Sequence, residues 1–337
     1  MTYQAASPCK DTRGKDTVSF ITKYLLAHIH IHIQNEMAVP VPLGTVILSD
    51  KSAPPSDDEK NKMREIAKRD LKTDPMYWKR VKVSALAAIK ILTHAMTGVK
   101  EGREDPERGT PIEVMGCLLG YVDPEDKQCV IVTDSFILPC KGGAHSAEED
   151  ARTAPYEAEY VGAVVEKTQK RISKVGWYHS HPFDPVKGGN GCALHHCWYS
   201  TTDVKTQTQH QVMMDRFGVP FVGIVVDPLT TIKTRKMHLG CYRIYNRMNE
   251  KICVPCRTPD GKGLDIFGKD ANTERWGEGW KLYYALDVTF FTNPQNRKMF
   301  SILNAAYGWV NDIVGVMAGD ERSASVRLLK KVTRSPL

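Results

Sequence analysis

Five side chains have the types and spacing of a hydrolytic metal site. His179 and His181 stand two apart in His179-Ser-His181-Pro. In an extended segment residues i and i+2 share a face, so both imidazoles can reach one ion. Ser200-Thr-Thr-Asp203 follows downstream. Ser200 occupies an N-cap and Asp203 the third helical position, a capping-box arrangement that presents the carboxylate at a helix mouth. Two His and one carboxylate leave a fourth tetrahedral position for water, the pattern of catalytic rather than structural zinc. Such a site also needs a base. Glu113 immediately precedes the apolar run Val114-Met-Gly-Cys-Leu-Leu-Gly120, where a carboxylate is costly unless it has a partner or a task. There it can take the proton of a water that zinc brings to a pKa of about 7. Ser200 can donate to the oxyanion, a contact typically worth roughly a hundred- to a thousandfold in rate. His-x-His and Ser-x-x-Asp are each structural more often than not when taken separately; only their combination in one chain shifts the balance.

Several elements must position these residues. Ser84 can cap a helix whose apolar residues Ala85, Leu86, Ile89, Leu92 and Met96 recur at spacings of three and four, with Gly98 at its end. A charged loop from Lys100 to Pro111 leads to the run 114–120, which reads as a buried strand. Residues 129–138 are β-branched and predict a second strand, and 156–172 a helix after a Gly- and Ala-rich loop from Cys140. Lys174 to His181 reads as a strand running into a loop at Pro182, and 221–228 and 236–245 as further strands. A last strand is expected near Tyr283, followed by helical spacing from Met299 to Val316. Strands and helices mix without a regular βαβ period, which predicts an α+β fold.

From Ile112 to Val204 this chain resembles the JAMM (MPN-plus) metalloprotease family, whose pattern is a Glu, then His-x-His-Pro, then Ser-x-x-Asp. Glu113-Val-Met-Gly116, Gly176-Trp-Tyr-His-Ser-His-Pro182, Cys197-Trp-Tyr-Ser200 and Val226-Asp-Pro228 carry the resemblance. Tyr77 to Ala88, Asp134-Ser-Phe-Ile-Leu-Pro139 and Tyr283-Tyr-Ala-Leu-Asp-Val288 are similar to the COP-nine signalosome branch of that family rather than the proteasome-lid branch. The resemblance implies an MPN core: a mixed β-sheet flanked by helices over 76–250. It leaves an irregular, partly low-complexity N-terminal arm over 1–75 and a C-terminal extension over 251–337 ending in helix. It makes His179, His181 and Asp203 ligands of one Zn2+, Glu113 the general base and Ser200 the oxyanion donor. The implied reaction is hydrolysis of the isopeptide bond joining a ubiquitin-like modifier to cullins of RING ubiquitin ligases. The implied partners are the other signalosome subunits, a metal-free MPN subunit among them. A deubiquitinase of the same fold and an inactive MPN scaffold are the competing readings.

The chain departs from that pattern in two places. Residues 182–199, eighteen in all, separate His181 from Ser200, where the family has seven. The extra eleven fall within 183–196. Loop closure costs rise only slowly with length, so folding tolerates the insertion, yet a shift of about 1 Å between ligands can cost roughly two orders of magnitude in rate. His195 and His196 lie inside it as competing ligands. The second departure is a short, basic end, Arg327 to Arg334, where the family carries a longer helical tail. The family's regulatory loop corresponds to 140–155, in which Arg152 is the one Arg and so the candidate competitor for Asp203.

Composition bounds the rest. Forty-six Lys+Arg against 39 Asp+Glu give +7, interleaved along the chain and weak as a nucleic-acid signal. No apolar run approaches the roughly 18 residues that span a bilayer. Nine cysteines, an odd number, with no signal peptide read at the start, predict reduced thiols in the cytoplasm or nucleus. Cys253 and Cys256 have the spacing of half a structural zinc site, with Cys192 and Cys197 as the nearby second pair. His28, His30 and His32 read as a simple repeat rather than a metal site, and Ser52 to Asp58 as a linker.

Overall fold

A computed structural model describes residues 54–138, 140–142, 147–149, 153–168, 171–183, 197–234, 237–245, 258–261 and 269–292. All lie in one compact unit, Thr45–Leu337. The elements that build the site are α1 (Asp57–Asp70), β1 (Arg80–Ser84), α2 (Ala85–Glu104), β2 (Met115–Val122) and β3 (Cys129–Ile137). A hairpin, β4 (Cys140–Gly142) and β5 (Ala147–Glu149), leads to α3 (Thr153–Thr168) and β6 (Ser173–Ser180). Then come α4 (Thr201–Asp215), β7 (Val222–Val226), α5 (Pro228–Thr234), β8 (Leu239–Ile244), α6 (Lys269–Trp276), β9 (Tyr283–Ala285) and β10 (Asp287–Phe291).

Eight strands form one mixed sheet in the order β10-β1-β3-β2-β6-β7-β8-β9. Its two edge strands are separated in the chain by Leu286 alone. The Leu286 amide donates to Cys241 O on β8, and the next amide, Asp287, to Lys79 O beside β1. One residue spans only about 3.5 Å, so the sheet curls until its edges nearly meet. Both faces are covered. Ala88, Ile91 and Leu92 of α2 pack with Val83, Leu118, Val132 and Ile224 on one face. Cys117, Leu119, Ile131 and Phe136 meet Tyr160 and Val164 of α3 on the other. Strand alternation explains why neighbours such as Leu118 and Leu119 enter different clusters, and the α+β mixed sheet expected from sequence is the fold observed.

Four boundaries differ from expectation. The linker and the arm expected to 75 contain α1, which Ser56 caps: its Oγ accepts the Glu59 amide at 3.3 Å while Glu59 receives the Ser56 amide at 2.7 Å. This reciprocal box satisfies two otherwise orphan donors, and Met63, Ala67 and Leu71 are buried. Helix α2 does not stop at Gly98 but continues to Glu104. A Cβ at Gly98 would lie 2.6 Å from Val114 Cγ1 and 2.7 Å from Ile112 O, so that glycine serves close packing instead of termination. The Gly- and Ala-rich stretch after Cys140 is partly the β4–β5 hairpin. The expected boundary at 250 does not divide the sheet, because β9 and β10 supply both its edges. The 299–316 helix, the basic end, His28 to His32, Arg152, Cys192, Cys253, Cys256, His195 and His196 lie outside the described residues.

Candidate metal centre

Strand β6 and the residue just past its end carry the first two candidate ligands, His179 and His181. Its alternation sends Tyr178 to the α2 face, where its hydroxyl meets His94 Nδ1 at 3.0 Å, and Trp177 and His179 to the α4 face. His181 continues that face, and its amide donates to Val226 O of the neighbouring strand. Met115 pairs with His179 across the antiparallel β2–β6 ladder. Ser180 extends the pairing by donating its amide to Val114 O and accepting the Val114 amide on Oγ at 3.1 Å. One step further brings Glu113 level with His181, on the same face as both histidines. A carboxylate just before a strand is thereby held over the imidazoles by sheet register.

The third candidate ligand, Asp203, comes from α4. Ser200 is its N-cap: Ser200 Oγ accepts the Asp203 amide at 3.1 Å, and Asp203 Oδ2 accepts the Ser200 amide at 2.7 Å. The box expected from Ser-x-x-Asp is formed. It leaves the Asp203 carboxylate facing β6, with Oδ1 at 3.1 Å from His179 Nε2 and Oδ2 at 3.3 Å from His181 Nε2. The two Nε2 atoms are 3.1 Å apart. For a zinc–nitrogen distance of about 2.0–2.1 Å, ligand atoms of a tetrahedron lie roughly 3.3 Å apart. Two imidazole nitrogens and a carboxylate at this spacing fit that ion. Among the described residues, His179, His181 and Asp203 form the one group with metal-ligand geometry, all three buried.

Electrostatics distinguish the acidic groups. Burial works against the Asp203 charge, but His179 and His181 outweigh it and hold the carboxyl well below its usual range. Burial also opposes charge on His179, and Asp203 outweighs it and raises that imidazole. Glu113 is buried without such a partner. Burial chiefly, with repulsion from Asp203, pushes it up to about 7, against a smaller opposing pull from His179. Ser200 remains partly exposed, and its Oγ is engaged as an acceptor, so its hydrogen can be offered outward.

His179, His181 and Asp203 meet despite the insertion between them, and the segment that follows it is tied down. Tyr242 donates its hydroxyl to Cys197 O. The Tyr199 amide donates to Tyr283 Oη at 3.3 Å, and Tyr283 itself donates to Trp276 O at 2.6 Å. Gly277, at φ 73°, lies against Trp198, where a Cβ would approach to 2.7 Å of the indole. Residues from α6 and β9, far beyond the motif in sequence, therefore place Ser200.

Sequence reasoning missed what holds α4 against the sheet. Gln207, Gln211 and Asp215, at i, i+4 and i+8, are all buried. Gln207 Oε1 accepts Trp177 Nε1–H at 2.7 Å, and its Nε2 donates to Gln211 Oε1 at 3.0 Å and Phe221 O at 2.8 Å. Gln211 exchanges hydrogen bonds with the Ile244 backbone at 2.9 and 3.1 Å. Asp215 receives Arg243 Nη2 at 2.7 and 2.9 Å. The signal was present as a polar stripe at helical spacing in a segment with few apolar residues.

Comparison with known proteins adds a family match over part of the chain. Residues 76–216 match the model described as JAB1/Mov34/MPN/PAD-1 ubiquitin protease. The chain is 34% identical over 240 residues to the COP9 signalosome complex subunit 5 of Drosophila melanogaster, covering 71% of this chain and 62% of that one. It is 31% identical over 242 residues to the Dictyostelium discoideum subunit 5 (71% and 61%) and 32% over 258 to Arabidopsis thaliana subunit 5b (76% and 61%). The chain thus spans about three-fifths of the length of these relatives.

Proposed function

Residues 76–216 match the JAB1/Mov34/MPN/PAD-1 family, and on that premise we propose that the chain is a zinc-dependent isopeptidase of that family. The observation that carries the reading is the convergence of His179, His181 and Asp203 on the face that also bears Glu113, with Ser200 at the rim. Zinc supplies Lewis-acid chemistry when bound and makes water more acidic. His179, His181 and Asp203 would hold it, leaving one side open toward Glu113. Glu113, buried within electrostatic reach of His179 and Asp203, would take a proton from water and return it to the leaving lysine amine. The Ser200 hydroxyl would donate to the oxygen that gains charge as the carbonyl is attacked.

Relatives named as signalosome subunits support placing the chain in such an assembly, beside a metal-free MPN subunit. The substrate is then a cullin carrying a ubiquitin-like modifier, and release of that modifier regulates the RING ligase. The assembled complex should be offered a modifier-conjugated cullin and a ubiquitin dimer side by side. Cleavage of the cullin conjugate alone supports the proposal, and cleavage of the dimer alone replaces it with a deubiquitinase. Glu113→Gln should abolish turnover with zinc still bound; surviving activity would remove Glu113 from the role of base. A chain that binds no zinc would be the scaffold.

A further inference from the structure

A metal-ligating histidine is normally oriented by a hydrogen bond from its second ring nitrogen. His179 has none: its Nδ1 is buried and, among the described residues, without a hydrogen-bond partner. The torsion that turns an imidazole about its Cβ–Cγ bond is broad and weakly restrained by itself. Something else must set the ring plane, since rotation would carry Nε2 away from Asp203. The Trp177 indole lies against His179 with ring centroids 4.6 Å apart and planes 12° from parallel. The indole is in turn anchored by Nε1–H to Gln207 Oε1 at 2.7 Å.

Gln207 is itself fully constrained. Its Oε1 also accepts the Tyr199 hydroxyl at 3.3 Å, while its two Nε2 hydrogens go to Gln211 Oε1 and Phe221 O. Two donors and two acceptor sites are all used, which fixes which end of the carboxamide faces Trp177. Gln207 stands one turn beyond Asp203 on the same face of α4. The space for this contact is cut by Gly223, where a Cβ would fall 1.7 Å from Tyr199 Oη and 2.8 Å from Trp177 Nε1.

We propose that Gln207 and Trp177 are positioning residues for His179: a stacked indole, hydrogen-bonded to the helix that carries Asp203, replaces the missing hydrogen bond on Nδ1. One helix then sets two of the three ligands, Asp203 directly and His179 through the indole. The proposal rests on the reading of His179 as a zinc ligand.

The test measures Zn2+ affinity of the full chain by competition with a chromophoric chelator, with Co2+ absorption as a second readout of ligand geometry. Gln207→Leu and Trp177→Phe should each weaken zinc about ten- to a hundredfold and alter the Co2+ spectrum. The double variant should be no worse than the weaker single, because both act through one hydrogen bond. Ser84→Ala removes two buried hydrogen bonds outside this network, Ser84 Oγ to Thr133 O at 2.7 Å and the Ala87 amide to Ser84 Oγ at 3.0 Å. It should lower the melting temperature while leaving zinc affinity within about threefold. If Gln207→Leu does not fold, Trp177→Phe alone carries the comparison. Native zinc affinity in a folded Gln207→Leu or Trp177→Phe chain, or an equal loss in Ser84→Ala, would overturn the positioning role. A wild-type chain that takes up no zinc would instead overturn the metal-site reading beneath it.

Discussion

Ser200 caps α4 and is proposed to donate to the oxyanion, and one substitution divides the two roles. As N-cap it accepts the Asp203 amide at 3.1 Å, an interaction whose loss to Ala costs about 1 kcal/mol of stability. As oxyanion donor its loss should cost roughly a hundred- to a thousandfold in kcat, or about 2.7–4 kcal/mol of transition-state stabilisation. Glycine keeps most of an N-cap's value, within a few tenths of a kcal/mol, yet has no hydroxyl. Moreover, the reciprocal half of the box, Ser200 N–H to Asp203 at 2.7 Å, is a backbone donor that Ser200→Gly retains. Ser200→Gly should therefore melt close to wild type and bind zinc, while Ser200→Ala should be measurably less stable. Both should lose the same two to three orders of magnitude in kcat. The assay pairs thermal unfolding and zinc content with single-substrate turnover in the assembled complex. Turnover of Ser200→Gly within tenfold of wild type, with zinc bound, would refute the donor role and leave Ser200 as a cap alone.

Excess zinc should stabilise the folded chain by about 2.7 kcal/mol at a hundred times its Kd, and His181→Ala should remove that shift in calorimetry. Asp215→Ala strands the buried Arg243 charge and should cost about 3–5 kcal/mol in urea unfolding; replacing both partners, Asp215→Leu with Arg243→Met, should recover most of it, and equal loss in the double variant would argue against a buried ion pair. Burial lowers the His94 imidazole to about 4 from an ordinary 6.5, so between those values the unfolded chain binds the extra proton and stability falls as pH drops. Over that window wild type should lose up to roughly 3 kcal/mol more than His94→Gln, which does not titrate; parallel pH curves would contradict it.

The two strand-end histidines and the capped aspartate were legible because each depends on short-range order, while the family resemblance singled out the set and Glu113 with it. Alternation pairs His179 with His181, and one helical turn pairs Ser200 with Asp203. Where local signals competed, sequence reading failed in an instructive way. Gly98 has the look of a helix stop, but the absent side chain makes room for Ile112 and Val114. Ser52 to Asp58 has a linker's composition, yet Ser56 and Glu59 spell the same kind of capping box as Ser200 and Asp203. Buried apolar contacts from Met63, Ala67 and Leu71 decide which signal wins.

By itself, then, the sequence determined which side chains could hold a zinc ion and which short elements present them. The tertiary structure decided whether they meet. Tyr242, Tyr283 and Gly277 bring Ser200 back across the insertion, the β2–β6 register sets Glu113 beside the imidazoles, and Gln207 locks α4 against Trp177. These contacts join residues that chain spacing does not relate. Periodicity reports which face a residue occupies; only the assembled sheet and its buried hydrogen bonds determine what that face confronts.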